Sequence, residues 1–262
     1  MTTLALRRDY LAAHRRMAVG RALAAAAAGL VPVPFVDDWL LEATLGGAYR
    51  RIAADHQVDL DRRAVKNLVH GKGGPTSLVD LGASALATRL ATQSWKRLLL
   101  ALTAIRRAQA ASRTFATLTV FDHYCARVHT GLGLDGERAL AVAETIGRAL
   151  TETPGSLSFE PFRRGLLAGA RTVARAPLEL ADRASGGRLR KLLARGGEAE
   201  VAEAQTVDEL DALVERELAS TDGVLARAAA AVELQLSAEV NPYLDHALDR
   251  FDELWRARAA AP

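Results

Sequence analysis

From Ala22 to Val36 no side chain carries a charge, and the run closes on Val31-Pro32-Val33-Pro34 and then the adjacent acids Asp37 and Asp38. No other stretch limits the fold as tightly. Each proline lacks a backbone donor and drives the residue before it into extended geometry, so a helix cannot pass through this point. The alanines just before it are the strongest helix formers. The sequence therefore predicts a first helix over Thr3–Ala28, a proline elbow over Leu30–Val36, and a second helix starting at Pro34 or Phe35. That second helix carries Trp39, Leu40, Leu41, Leu45, Tyr49 and Ile52 to about His56. Asp37 and Asp38 fall in its first turn, where negative charge meets the positive end of the helix dipole.

The rest of the chain supports an all-α reading. Half the residues are hydrophobic but only 5% are aromatic. The best two-residue alternation, Thr117–Phe121, is short and sits inside a helical pattern. Asp59 is read as the cap of a helix over Leu60–Val69, and His70 to Pro75 as a break. A weak helix is expected over Asp80–Thr92, stronger ones over Ser94–Ala111 and Thr114–His129, and one over Glu137–Leu150 capped by Asp135. Val58-Asp59-Leu60-Asp61 is faintly echoed by Leu132-Gly133-Leu134-Asp135, each following a helix that ends near a histidine, His56 or His129.

Thr153-Pro154-Gly155-Ser156 is the best boundary. It separates a helical module, residues 1–153, from a C-terminal helical region, residues 154–262, which can still pack as one domain with the first. In the second part, a helix from Phe159 to about Ala184 should kink at Pro177. Thr206-Val207-Asp208-Glu209 reads as a capping box. Asn241-Pro242 reads as a cap and first-turn proline for a helix whose apolar stripe is Leu244, Leu248, Phe251 and Trp255. The expected fold is a multi-helix bundle built on a helix–elbow–helix hairpin, with a C-terminal helical extension.

Charge narrows the function classes. The net charge is +3, arginine supplies nearly all of the positive charge, and the lysines are Lys66, Lys72, Lys96 and Lys191. Acids are interleaved with the arginines almost throughout, which argues against a nucleic-acid footprint. One cysteine, Cys125, excludes an intrachain disulfide and suits a reducing compartment. The apolar run is too short and proline-broken to span a bilayer. Arg7-Arg8 resembles a twin-arginine export signal, but His14, Arg15, Arg16 and Arg21 interrupt what should be its apolar region. A cytoplasmic protein is expected.

Few residues suggest chemistry. Asp122, Cys125 and His129, at i, i+3 and i+7, put carboxylate, thiol and imidazole on one helix face. They could hold zinc or form a cysteine–histidine pair. No fourth ligand or oxyanion hole accompanies them, so the default is a helix with a buried cysteine. His70-Gly71-Lys72-Gly73-Gly74 lacks the spacing and preceding strand of a phosphate loop. No catalytic, cofactor-binding or metal-binding residue and no cofactor is expected, and a non-enzymatic chain is expected with them. Leu30, Val31, Pro32, Pro34, Phe35 and Val36 would form an apolar contact if exposed. Arg15, Arg16 and Arg21, a few turns earlier, would then suit anionic head groups.

The segment Gly29-Leu30-Val31-Pro32-Val33-Pro34-Phe35-Val36-Asp37, the helix ending Ile52-Ala53-Ala54, and Val58-Asp59-Leu60 together resemble the EcsC-like bacterial helical family. That group includes a related domain found alone or beside GTPase domains. The resemblance covers about Gly20 to Gly73, and reaches Leu150 if the echo is a duplication. Asp55-His56-Gln57 stands where the family has a Tyr-Gly turn. The resemblance implies a non-enzymatic module at the inner membrane. Two readings follow. The first is a peripheral protein docking its elbow and basic faces, helix one and Arg188–Lys191, on an anionic membrane surface or membrane protein. The second is a soluble scaffold whose C-terminal helices, through Leu244, Leu248, Phe251 and Trp255, pair with a partner helix or a second copy of the chain. A metal protein or enzyme using Asp122, Cys125 and His129 is the remote third.

Overall fold

The computed structural model describes residues 3–28, 41–71, 93–155, 158–164, 203–220, 223–239 and 241–260. The elbow Leu30–Val36, the Asp37–Asp38 pair, residues 72–92 and the basic stretch Arg188–Lys191 lie outside the described residues.

Helix α1 (Thr3–Ala28) is helical throughout the predicted span, but its role is different. The head-group reading of Arg15, Arg16 and Arg21 requires those side chains to face outward. From Met17 to Ala25 every side chain is buried or half-buried, so α1 is a central helix. Small residues make that possible. A Cβ added at Gly20 would stand 2.2 Å from Leu218 Cδ2, so α1 and its neighbour approach closely there.

A π-helical turn (Glu42–Gly46) leads into α2 (Gly47–Asp55). The end of α2 is a Schellman motif. Val58 N–H donates to Ala53 O at 2.8 Å, Gln57 N–H donates to Ala54 O at 2.9 Å, and Gln57 takes φ +59°. A residue with a Cβ spends about 1–2 kcal/mol on that left-handed conformation. Strand β1 (Asp59–Leu60) follows, then α3 (Arg62–His70). The helix thus starts later than predicted, because Asp61 and not Asp59 is its cap: Asp61 Oδ1 accepts from Ala64 N–H at 2.5 Å.

Helix α4 (Gln93–His123) joins into one element what the sequence divided near Ser112, and passes into a second π-helical turn (Tyr124–Val128). Strand β2 (Gly133–Leu134) pairs in parallel with β1, Asp59 opposite Gly133 and Leu60 opposite Leu134. Helix α5 (Gly136–Glu152) begins at Asp135, whose Oδ1 accepts from Arg138 N–H at 2.8 Å. The faint sequence echo therefore has a structural form. Each copy is a helix end, a short strand and an aspartate-capped helix, and the strands pair with one another.

The last part comprises α6 (Glu203–Ala219), α7 (Val224–Ser237) and α8 (Asp245–Ala260). Thr206–Glu209 lies inside α6, so it is not the start. Asn241-Pro242 precedes α8 by a turn. Asn241 Oδ1 accepts from Asp245 N–H at 2.9 Å, and Leu244 sits at φ +57°. Among the described residues, one hydrophobic cluster joins both sides of residue 153. Val19 and Leu23 of α1, Ile52, Phe115 and Phe121 share it with Phe162, Leu225, Val232, Leu248 and Phe251.

That cluster corrects the partner stripe. Leu244, Leu248 and Phe251 are fully buried within this chain, and Trp255 is half-buried against it, 5.2 Å from Tyr124 and 6.0 Å from Phe251 between ring centres. Fully burying such a side chain stabilises by about 1.5–3 kcal/mol. The stripe was read correctly as apolar, but what covers it is this chain's own core.

Candidate functional site

Helix α1 brings Arg7, Tyr10 and His14 along one face at i, i+3 and i+7, and that polar face is turned inward. His14 is buried (8% exposed) between the end of α2 and the end of α4. Its Nδ1 lies 3.0 Å from Asp122 Oδ2, and its Nε2 lies 2.9 Å from Asp55 Oδ2. The other oxygen of Asp122 is 2.6 Å from His56 Nε2. Asp122 is only 2% exposed, so a carboxylate at the heart of the bundle is satisfied by two imidazoles from different helices.

Local backbone structure sets these positions. The left-handed Gln57 stops α2 at once and leaves His56 at its cap, beside α4. On α4, consecutive residues diverge. Asp122 turns to His14 and His56, while His123 turns to Tyr10 and α8. Tyr10 Oη lies 2.6 Å from His123 Nδ1, and His123 Nε2 lies 2.8 Å from Asp252 Oδ1. Tyr10 also lies edge-on to His56 at 6.3 Å and stacks on His123 at 6.2 Å, so one aromatic wall separates the two polar groups.

Electrostatics follow the contacts. The Asp122 carboxylate bonded to His14 holds that imidazole's pKa above its usual value, against the pull of burial; Asp55 adds to the rise. Burial pushes the Tyr10 phenol up to about 12. Arg15 is buried, with its guanidinium 5.1 Å from the centre of the Tyr243 ring. Its Nε and Nη2 have no hydrogen-bond acceptor among the described residues. A void of about 10 Å³ adjoins His14, Arg15, Thr119 and Asp122, room for about one water. With both imidazoles neutral, Asp55 and Asp122 outweigh Arg15 and leave one negative charge. A proton on His14 would complete the balance, and a bound divalent ion would more than offset that charge.

The structure separates the sequence-derived trio. Asp122 belongs to the cluster, but Cys125 and His129 do not. The π-helical turn over Tyr124–Val128 inserts an extra residue per turn, which breaks the i, i+3, i+7 face. Cys125 is buried, and burial raises its thiol pKa far above the usual range. His129 follows the helix in extended geometry, with Nδ1 3.1 Å from Tyr124 Oη.

The basic residues assigned to head groups also divide. Arg16 is exposed, but Arg15 lies under Tyr243 and Arg21 is 1% exposed. Arg21 donates to Ala43 O at 3.1 Å and Thr44 O at 3.2 Å, and pairs with Asp211 at 2.5 Å and with Glu215. Neither Arg15 nor Arg21 is presented to a surface. Leu30, Val31, Pro32, Pro34, Phe35 and Val36 lie outside the described residues. His14, Asp55 and His56 were not singled out as ligands. The available signal was the i, i+3, i+7 spacing of Arg7, Tyr10 and His14 on one helix, and the Asp55-His56 pair at a helix end.

In comparisons with known proteins, no family model matches the chain, and neither a curated protein nor a solved structure is significantly similar to it. No helix among the described residues is long and apolar enough to cross a membrane.

Proposed function

We propose that this protein is a helical metal-binding protein that holds a divalent first-row ion, zinc or ferrous iron, with His14, His56 and Asp122. One observation carries the reading: these three residues come from three separate helical segments, and their ligand atoms lie within 4.8 Å of one another. Two imidazoles and one carboxylate are a donor set that suits zinc or ferrous iron and leaves coordination positions open. The surroundings support it. With Nδ1 of His14 facing the ion, its Nε2–H donates to Asp55, the carboxylate–histidine pairing that orients a metal-bound imidazole. The Asp55 side chain is 53% exposed, so the site has a short route to solvent. The role proposed is binding, with no reaction assigned to it.

Metal analysis of protein purified without chelator, followed by cobalt titration monitored by visible absorption, tests this. One equivalent of metal, or a saturable one-to-one cobalt spectrum lost in Asp122→Asn and in His56→Ala, is the expected result. Neither stoichiometric metal nor saturable cobalt binding overturns it, and the cluster is then a proton-charged hydrogen-bond network.

A second reading rests on the apolar sequence Leu30–Val36: docking of that elbow on an anionic membrane surface, as the EcsC-like resemblance implies, with Arg16 as its nearby exposed cation. Co-sedimentation with anionic vesicles tests it. Phe35→Asp should release a folded protein into the supernatant, and a wild-type chain that never sediments removes the reading.

A further inference from the structure

We propose that the cleft bounded by α1, the end of α4 and α8 binds a small organic anion in which a planar ring carries a carboxylate or phosphate group. The cleft is open to solvent, has a volume of about 580 Å³ and is lined by Arg7, Tyr10, His123, Arg127, Val128, Asp252, Trp255 and Arg256. That volume lies in the usual range of small-molecule sites, about 300–1,000 Å³. The inference stands on residues other than the metal ligands.

The charges in the cleft do not cancel among themselves. Asp252 is answered by His123 at 2.8 Å and by Arg7 at 3.8 Å. Arg7 is chiefly held by Asp249, at 2.8 Å. That leaves Arg127 and Arg256, both exposed at the mouth, with no ion pair among the described residues. Arg256 spends its Nε on the backbone carbonyl of Asp252, at 3.1 Å, which anchors the side chain and leaves its terminal nitrogens available. A guanidinium fork fits the paired oxygens of a carboxylate or phosphate better than it fits water.

The ring preference comes from Trp255. Its indole packs almost parallel to Phe251, at 16°, with Tyr124 edge-on, so these rings fix it while part of its surface remains in the cleft. Tyr10 and His123, stacked together, form the floor. An aromatic wall facing two uncompensated guanidinium groups selects a ligand with a flat apolar body and an anionic end.

Titration calorimetry of the full chain with phenyl phosphate, benzoate and inorganic phosphate tests the proposal. Saturable one-to-one binding of phenyl phosphate or benzoate should weaken by about tenfold or more in the double variant Arg127→Gln/Arg256→Gln, which removes two charge-assisted contacts. Both side chains are exposed, so that variant should keep its fold, and circular dichroism checks that it does. Inorganic phosphate should bind more weakly than phenyl phosphate. Absence of saturable binding by both aromatic anions overturns the proposal, as does unchanged affinity in the double variant. Equal affinity for inorganic and phenyl phosphate overturns the ring preference.

Discussion

Replacing Arg21 by methionine should cost about 3–4 kcal/mol of folding stability, at least half of it from charges left behind. The guanidinium is 1% exposed and bridges α1 to the first π-helical turn and to α6. Its bonds to Ala43 O and Thr44 O contribute least, roughly 0.5–1 kcal/mol each, because both carbonyls also accept from the Gly47 N–H. The Asp211 and Glu215 side chains are 24% and 32% exposed, so water recovers part of their solvation once Arg21 is gone. Each is therefore assigned about 1 kcal/mol, below the roughly 1.5–3 kcal/mol of a fully buried charged hydrogen bond. Methionine keeps the aliphatic stem and most of the volume, so the loss reports the charge. The assay is urea unfolding at neutral pH with chelator present. The triple variant Arg21→Met/Asp211→Asn/Glu215→Gln should regain at least half the loss, since breaking a buried pair costs more than replacing it whole. A single-variant loss under about 1 kcal/mol, or a triple variant no better than the single, would refute the reasoning.

Other expectations follow from the site and its neighbours. In chelator, stability should fall as pH rises through the raised His14 value. An imidazole whose folded pKa is raised contributes fully below its unfolded value, about 6.5, and loses that contribution as the proton leaves. Saturating zinc should reverse that slope, because metal binding strengthens as imidazoles deprotonate; urea midpoints at pH 6 and pH 8 check both signs. Cys125, buried and with its thiol pKa raised, should resist thiol reagents in native buffer and react at once in denaturant, as absorbance of the released thiolate reports. A Cβ at Gly47 would stand 2.0 Å from Asp211 Oδ1 and 2.5 Å from Arg21 Nη1. Gly47→Ala should therefore cost about 1–3 kcal/mol by forcing that ion pair apart.

Much of the fold was legible where local chemistry decides it. The helical span of α1, the Asp135 cap and the C-terminal apolar stripe can all be read from residue type and spacing. The legible parts stop where distant segments meet. Asp122 was singled out, but spacing could pair it only with neighbours in sequence. Its partners are His14, 108 residues away, and His56, 66 residues away. The π-helical turn over Tyr124–Val128 carries no compositional mark, yet it takes His129 off the face of Asp122. Arg15 and Arg21 fail as surface residues for a related reason. An arginine looks solvated until the chain supplies Tyr243, Asp211 and Glu215 to cover it. The strand pair was half legible: the echo named its residues, but two residues are too few to show as alternation.

The central position of α1 also has a consequence for the order of events during synthesis. Arg7 is matched by Asp249, 242 residues later, and Arg21 by Asp211, 190 residues later. At roughly 5–20 residues per second, the first helix leaves the ribosome on the order of 10–40 s before the acids that neutralise Arg21 are made. During that interval α2 and α4 can already cover part of the helix, but Arg21 lacks the acids that pair with it. The helix that organises the finished core thus has its buried charge neutralised only when the last third of the chain arrives.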